Sequence, residues 1–218
     1  MAPRQFTMLI TVLVVTVTVA SAKPMQARDE PTFCKGLDCP DFKPTGSGED
    51  YEVRAYSSAK WVSTQVIDLS YDKAVKKDLN FCLKVPMTAP VTTRVIPAPG
   101  PACENNFTVS FFVPFADQDN PPMPSNDKVF IPHYKNSQLM SGWYRLVFVC
   151  LSFVYLFALL KVFHGFAKQE DWIANAEALK NSLANTTATY DKSFYYTAGY
   201  DSPFTIFSRH NEVWFFAT

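Results

Sequence analysis

The clearest pattern along the chain is the alternation of apolar and polar residues in short stretches. Such alternation is typical of half-buried strands. Residues 51–56 and 60–66 alternate on either side of Ser57-Ser58, and 107–115 is dense in aromatic and β-branched residues. The predicted strands are 51–56, 60–66, 107–115, 128–131, 194–200 and 211–216, and 85–95 is predicted to be extended because its prolines disfavour helix.

Two stretches have helical spacing instead. Residues 71–79 place Ala74, Val75 and Leu79 on one face. Residues 168–183 repeat apolar side chains about one turn apart, at Ile173, Ala176, Leu179 and Leu183. Many strands with two helices, and no repeat of fixed period, predict an α+β fold whose antiparallel sheet curls towards a barrel.

The first residues have the pattern of a secretory signal peptide. A basic residue precedes an apolar run, and small residues then place cleavage between Ala22 and Lys23. An uncleaved signal anchor is the alternative. We therefore expect a secreted, extracellular protein. Its predicted parts are a signal peptide at 1–22, a cysteine-containing extension at 23–50 and a domain at 51–218.

Five cysteines fit an oxidising compartment, where disulfides persist. Cys34 and Cys39 stand close together in FCKGLDCP, which predicts a small local disulfide, with two free thiols as the alternative. The odd total leaves at least one thiol over, and we expect this to be Cys150. The tripeptides that begin at Asn106 and Asn185 are N-glycosylation sequons and indicate the same compartment.

Composition and charge narrow the function. The 218 residues are 48% hydrophobic and 18% charged, as in globular proteins. The 20 basic and 20 acidic residues balance, which gives no electrostatic argument for binding nucleic acid. The sequence holds no metalloprotease, nucleophile-elbow, phosphate-loop or Cys-x-x-Cys motif, so we expect no catalysis.

Several strings, taken in order, resemble the SOUL haem-binding family. They are YEVRAY (51–56), AKWVSTQV (59–66), VPMTAPVTTRV (85–95), DNPPMPSNDKVFI (119–131), GFAKQ (165–169) and YYTAGYDSPFTIFSRHNEVWFF (195–216). The resemblance implies a distorted antiparallel β-barrel flanked by two helices, similar also to the effector-binding domains of certain bacterial regulators. It implies non-catalytic binding of haem or another porphyrin in a hydrophobic cleft.

The resemblance places this cleft between the first helix and the loop before the last strand. A porphyrin is a flat apolar plate with two carboxylates, and it needs an apolar slot with a cation at the rim. Phe204, Ile206 and Phe207 would form the slot, and the alternative for them is ordinary core or loop packing. Lys76 and Arg209 would be the cations, and the alternative for them is a solvated surface charge. The full implied set is Val75, Lys76, Leu79, Tyr200, Phe204, Ile206, Phe207 and Arg209.

The axial ligand of a bound haem is not assigned. Haem iron usually takes His, Cys, Met or Tyr from the protein. Some family members carry a His inside the YExRxY string, where this chain has Ala55. His210 is the weak candidate, while His133 and His164 are expected to be surface imidazoles. No other metal is expected.

Two departures from the family pattern affect these expectations. Members carry about a dozen more residues before Val85, or about three helical turns, so the first helix is shortened here. Residues from about 141 to 159 have no counterpart and hold most of an apolar run at 146–160. Attachment to a membrane through 143–160 would separate strands that must pair, so it is the lesser alternative. Our interpretation is that the insertion is translated intron.

Two other functions stay open. The helix at 168–183 would dock into the groove of an unspecified protein partner. Alternatively, the chain is an isoform that has lost ligand binding, because the shortened helix removes one wall of the cleft.

Overall fold

The computed structural model describes residues 30–79, 86–100, 105–124, 127–132 and 156–218. These parts form nine strands and two longer helices. The strands are β1 (Phe42–Ser47), β2 (Glu52–Tyr56), β3 (Trp61–Asp68), β4 (Val91–Ile96), β5 (Asn105–Phe112), β6 (Val129–Phe130), β7 (Leu156–His164), β8 (Tyr195–Gly199) and β9 (His210–Phe216); the helices are α1 (Tyr71–Leu79) and α2 (Gln169–Leu183).

All nine strands belong to one antiparallel sheet in the order β1-β2-β7-β9-β8-β4-β5-β3-β6. β1 and β6 are its edges and do not pair with each other in the described residues. The sheet is nevertheless curled, because side chains of β3 and β9, which lie four places apart, line one cavity. The predicted α+β fold is confirmed, with a curled sheet that does not close by hydrogen bonds in the described part.

Both predicted helices are confirmed and pack on the convex face of the sheet. α2 buries Trp172, Ala176, Leu179 and Leu183 against β7 and β9. The prediction that Ile173 belongs to the buried stripe is wrong: its side chain is 43% exposed, and the larger Trp172 takes that place. α1 buries Ala74 against Val66, Val95 and Phe107.

The alternating stretches all became strands, but two further strands were not predicted. β1 contains Pro44 and Gly46, which weaken a strand signal and are tolerated because β1 is an edge. β7 lies between β2 and β9, and its residues 158–160 are buried on both faces of the sheet, so residues 156–160 are continuously apolar instead of alternating. Residues 156–160 of the apolar run at 146–160 therefore have a structural role in the sheet.

Several predictions fall on residues that the structure does not describe. They are the signal peptide with its cleavage site at Ala22 and Lys23, Cys150, and residues 141–155 of the proposed insertion. None of the helices in the described residues is long and apolar enough to cross a membrane. The division into signal peptide, extension, domain and insertion stays a prediction.

The part of the N-terminal extension that is described packs on the sheet. The predicted disulfide between Cys34 and Cys39 is present, with Cα atoms 6.2 Å apart, and both residues are buried. Asp38 bonds this segment to the rest of the domain, because its backbone carbonyl accepts from the Ala89 N–H and its carboxylate accepts from the Phe115 N–H. We call residues 31–42 the N-terminal cap.

Candidate functional site

The concave face of the sheet lines a cavity of about 390 Å³ that is partly open to solvent. We call it the interior cavity, and its lining combines aromatic side chains with hydroxyl and amide groups. The aromatic side chains are Tyr56, Trp61, Phe130, Tyr196, Trp214 and Phe216; the polar ones are Ser63, Gln65, Thr92, Thr108 and Ser110, together with Arg94.

Strand register explains why these residues meet. Arg94 on β4 stands opposite Thr108 on β5 and Tyr196 on β8, so all three point to the same face. Ser63 and Ser110 also face each other across β3 and β5, and their hydroxyl oxygens lie 2.7 Å apart in a hydrogen bond. The polar part of the lining is therefore a set of alternate residues on three neighbouring strands.

Arg94 supplies the cation of the interior cavity. Its guanidinium carbon lies 4.0 Å from the ring centroid of Phe194, a cation–π distance. Among the described residues no side-chain or backbone oxygen accepts a hydrogen bond from this guanidinium. Asp191 is close enough for Arg94 to help lower its pKa, but hydrogen bonds from Ser193 are the larger cause.

A second polar feature, the Glu212 network, lies at one end of the same face. The Glu212 side chain is fully buried, and both of its oxygens accept hydrogen bonds. Oε1 lies 2.8 Å from Arg54 Nη1 and 2.6 Å from His210 Nε2; Oε2 lies 3.0 Å from the Tyr200 hydroxyl and 2.7 Å from Trp214 Nε1. Arg54 also donates to Glu52 at 2.7 and 2.9 Å.

The network shifts the pKa values of its members. Burial acts to raise the pKa of Glu212, but the hydrogen bond from His210 and the charge of Arg54 outweigh it, so the pKa lies below its ordinary 4.5. Burial, followed by the nearby Glu212 charge, raises the pKa of Tyr56 and of Tyr200. Glu212 is therefore ionised and both phenols are neutral at neutral pH.

The N-terminal cap covers this network. The Phe33 ring stacks on the His210 ring at 4.3 Å between centroids and 5° between planes. The Arg54 guanidinium lies 4.4 Å from the Phe42 ring centroid. Lys35 forms an ion pair with the buried Asp201, whose other carboxylate oxygen accepts from the His210 N–H at 2.6 Å. The cap therefore shields Glu212 and His210 from solvent.

The predicted cleft residues fall into two groups. Phe204, Ile206 and Phe207 are 91%, 68% and 81% exposed on the loop between β8 and β9. We call these three side chains the loop patch. Arg209 folds back beneath this loop, where Nη1 donates to the carbonyls of Ser202 and Thr205 and the guanidinium lies 4.5 Å from the Phe166 centroid.

The other predicted cleft residues are placed differently. Tyr200 is buried in the Glu212 network, on the concave face and away from solvent. Val75 is half-buried on α1. Lys76 and Leu79 belong to α1, but their side chains lie outside the described residues. The structure thus brings the three exposed loop side chains and Arg209 together on one loop.

The histidines described here have backbone or carboxylate partners. His210 is buried with Nε2 on Glu212, while the exposed His164 has Nδ1 2.9 Å from the Arg209 carbonyl. Within the described ranges, no group of three or more His, Cys, Asp or Glu side chains is arranged to hold a metal. Of the sequon residues, Asn185 is exposed after α2, and Asn106 lies half-buried in β5.

The described residues form an α+β domain with a single curled sheet, two helices outside it and a cavity on its concave side. The family model described as "SOUL heme-binding protein" matches residues 37–144 and 156–216. Heme-binding protein 2 of Homo sapiens is 31% identical over 88% of this chain and 94% of its own length. Heme-binding protein 2 of Mus musculus is 33% identical over 75% of this chain and 76% of its own. The chain belongs to the SOUL family.

One more relative and one solved structure are also similar to this chain. Heme-binding protein 1 of Mus musculus is 30% identical over 78% of this chain and 86% of its own length. The solved structure of SAV2435 bound to tetraphenylphosphonium aligns with 78% of this chain and 94% of its own, at 11% identity and a TM-score of 0.45. That likeness is too weak to support an inference about ligand.

Neither the interior cavity nor the Arg54–Glu212 pair was predicted from sequence, and Tyr200 and His210 of the Glu212 network were predicted only in other roles. The cavity signal was present, since Ser63 and Gln65 alternate in one predicted strand and Thr92 and Arg94 in an extended segment. Alternate polar residues normally indicate a solvent-facing side of a sheet. Only the curl of the sheet turns that side inwards.

Proposed function

We propose that this chain binds haem or a related tetrapyrrole on the loop patch and that it acts as a non-catalytic carrier. Membership of the SOUL family and the names of its relatives support the ligand class. The observation that carries the position is the exposure of Phe204, Ile206 and Phe207 on one loop. Three large apolar side chains so close together and so exposed are typical of a binding surface.

The charge beside the loop patch fits a carboxylate-bearing ligand. Arg209 keeps Nη1 on loop carbonyls, but its buried Nε–H has no acceptor among the described residues. An unpaired buried donor is costly, and a ligand carboxylate would satisfy it. Lys76 remains part of the proposal as a second cation, and Val75 and Leu79 as apolar contacts from α1.

We propose no axial ligand from the protein. The His210 ring is buried beneath Phe33, and its Nε2 lies 2.6 Å from Glu212, so this nitrogen is already taken by the carboxylate. Tyr200 is held by the same carboxylate. Binding would then rest on apolar contact and on paired carboxylates, with the iron contributing little.

The alternative of a helix-docking module has no supporting observation. The apolar stripe of α2, with Trp172 and Leu179 at its centre, is already buried against the protein's own sheet. A partner would have to displace that contact before it could bind the same face.

A haemin titration followed at the Soret band tests the proposal. Wild type is expected to saturate, and Phe204→Ser with Phe207→Ser is expected to weaken binding roughly 10-fold to 100-fold for each phenyl ring that the ligand covers. Met123→Ser is the matched control, because Met123 is 87% exposed on another loop. Absence of saturable binding, or equal affinity in the double variant and wild type, would contradict the proposal; the first result would favour an isoform without ligand binding.

We further propose that the protein is secreted and glycosylated at Asn106 and Asn185. The buried Cys34–Cys39 disulfide supports an oxidising compartment. Asn185 is exposed after the end of α2, whereas Asn106 is half-buried in β5 and accepts a hydrogen bond from Gln65.

A further inference from the structure

The interior cavity is a second concave surface that the proposed tetrapyrrole site does not use. None of the three loop-patch side chains lines it, and its walls come from strands on the concave face. Its volume of about 390 Å³ lies within the range of small-molecule sites. A cavity of this size would be filled by core side chains if its only role were to stabilise the sheet.

The walls of the cavity favour a flat, aromatic ligand. Trp61, Tyr196, Trp214 and Phe216 present ring surfaces from three strands. Aromatic side chains prefer offset or edge-on contact with other rings. The lining also has a polar part, in which the Ser63 and Ser110 hydroxyls bond each other at 2.7 Å.

The charge in the cavity determines the sign of the ligand. Arg94 is half-buried, and among the described residues its guanidinium has the Phe194 ring and the carboxylate of Asp191 nearby, but no oxygen accepts a hydrogen bond from it. Among the described residues that line the cavity, none carries a carboxylate. A guanidinium in such surroundings binds a carboxylate or sulfonate through charge-assisted hydrogen bonds.

We propose that the interior cavity binds an aromatic monoanion, a ligand of flat rings with one carboxylate or sulfonate group that pairs with Arg94. The rings lie against Trp61, Tyr196 and Trp214, and the anionic group lies between Arg94 and Thr108. This site is independent of the loop patch, so the protein has two ligand sites of different chemistry.

Anilinonaphthalene sulfonate and its sulfonate-free parent, N-phenylnaphthylamine, form a matched pair of probes. Both become fluorescent in apolar surroundings, and only the first carries the anion. Wild type is expected to bind one equivalent of the sulfonate and to prefer it over the parent by roughly ten-fold or more, the usual effect of one charged hydrogen bond. Equal binding of the two probes would overturn the proposal.

Variants then locate the site. Arg94→Gln is expected to abolish the preference for the sulfonate, Arg94→Lys to keep part of it, and Lys180→Gln on exposed α2 to leave it unchanged. Thr108→Phe fills the cavity and is expected to weaken both probes. Unfolding temperature confirms that each variant is folded. Unchanged sulfonate affinity in Arg94→Gln, or no binding by wild type, would overturn the proposal.

The loop-patch double variant, Phe204→Ser with Phe207→Ser, separates this proposal from the haem proposal. It is expected to lose haemin affinity and to keep the sulfonate preference, whereas Arg94→Gln is expected to keep haemin affinity. If the sulfonate preference disappears with the loop patch and survives Arg94→Gln, the probe binds at the loop patch and the interior site is refuted.

Discussion

Replacing Glu212 with glutamine tests whether the buried network stabilises the fold. The carboxylate is fully buried and receives four hydrogen bonds of 2.6–3.0 Å, two on each oxygen. Glutamine has the same shape but replaces one oxygen with a donor group. Two of the four donors therefore lose their acceptor, and Arg54 loses its buried counter-charge.

The expected loss follows from burial. Removing one partner of a buried ion pair costs about 3–5 kcal/mol of unfolding free energy. Because Arg54 keeps its second carboxylate, Glu52, we expect a loss near the lower end, about 3 kcal/mol. Glu52→Gln is the matched control: it removes the same charge from the same arginine, but its side chain is 48% exposed, so we expect about 0.2–1 kcal/mol.

The difference also depends on pH. Since the pKa of folded Glu212 lies below 4.5, its carboxylate contributes fully above pH 4.5, and this contribution is lost as the pH falls through the folded-state pKa. The gap in unfolding free energy between wild type and Glu212→Gln should therefore shrink in acid.

Urea unfolding followed by circular dichroism and tryptophan fluorescence measures both effects. Wild type, Glu212→Gln and Glu52→Gln are compared, and where their m-values are equal a change in the urea midpoint reports a change in stability. If Glu212→Gln loses no more free energy than Glu52→Gln, or if its deficit is unchanged in acid, the network is not an ionised, stabilising cluster and the reasoning fails.

Two further predictions concern the exported state. Replacing Cys34 and Cys39 with serine should lower the unfolding free energy by about 2 kcal/mol, the chain-entropy value for a loop closed over five residues, as measured by urea unfolding; an unchanged midpoint would contradict this. Mass spectrometry of protein secreted from cultured cells should find Lys23 as the first residue and glycans at Asn106 and Asn185; a retained leader or unmodified asparagines would contradict the proposed export.

The elements that sequence predicts well are those with one buried face. β3 is an example. Val66 packs against Ala74 of α1 on one side of the strand, whereas Ser63 and Gln65 on the other side line the interior cavity, so the residues alternate along the strand. β7 is an element that the pattern does not predict. Ala158 and Leu160 are buried in the core on the concave side and Leu159 is buried against α2, so apolar and polar residues do not alternate there. A continuous apolar strand cannot be distinguished by pattern from a membrane segment of similar length.

The candidate site divides in the same way. The family strings place Phe204 and Phe207 on the loop before the last strand, where the structure has them, whereas their role in a ligand slot stays a prediction. The network of Arg54 and Glu212 was not, since the two residues are 158 positions apart and meet only when β2 and β9 flank β7. Long-range pairing of this kind depends on strand order, which the local pattern does not contain.

The place of β7 inside the sheet has a consequence for how this chain can change over evolution. β7 pairs with β2 on one side and with β9 on the other. Its side chains alternate between the core on the concave side and the core under α2. Insertion or deletion of a single codon within β7 would shift its register and move the side chains beyond that point to the wrong face of the sheet. Descendant sequences can therefore vary β7 by substitution, but a change in its length would disrupt both neighbouring strands.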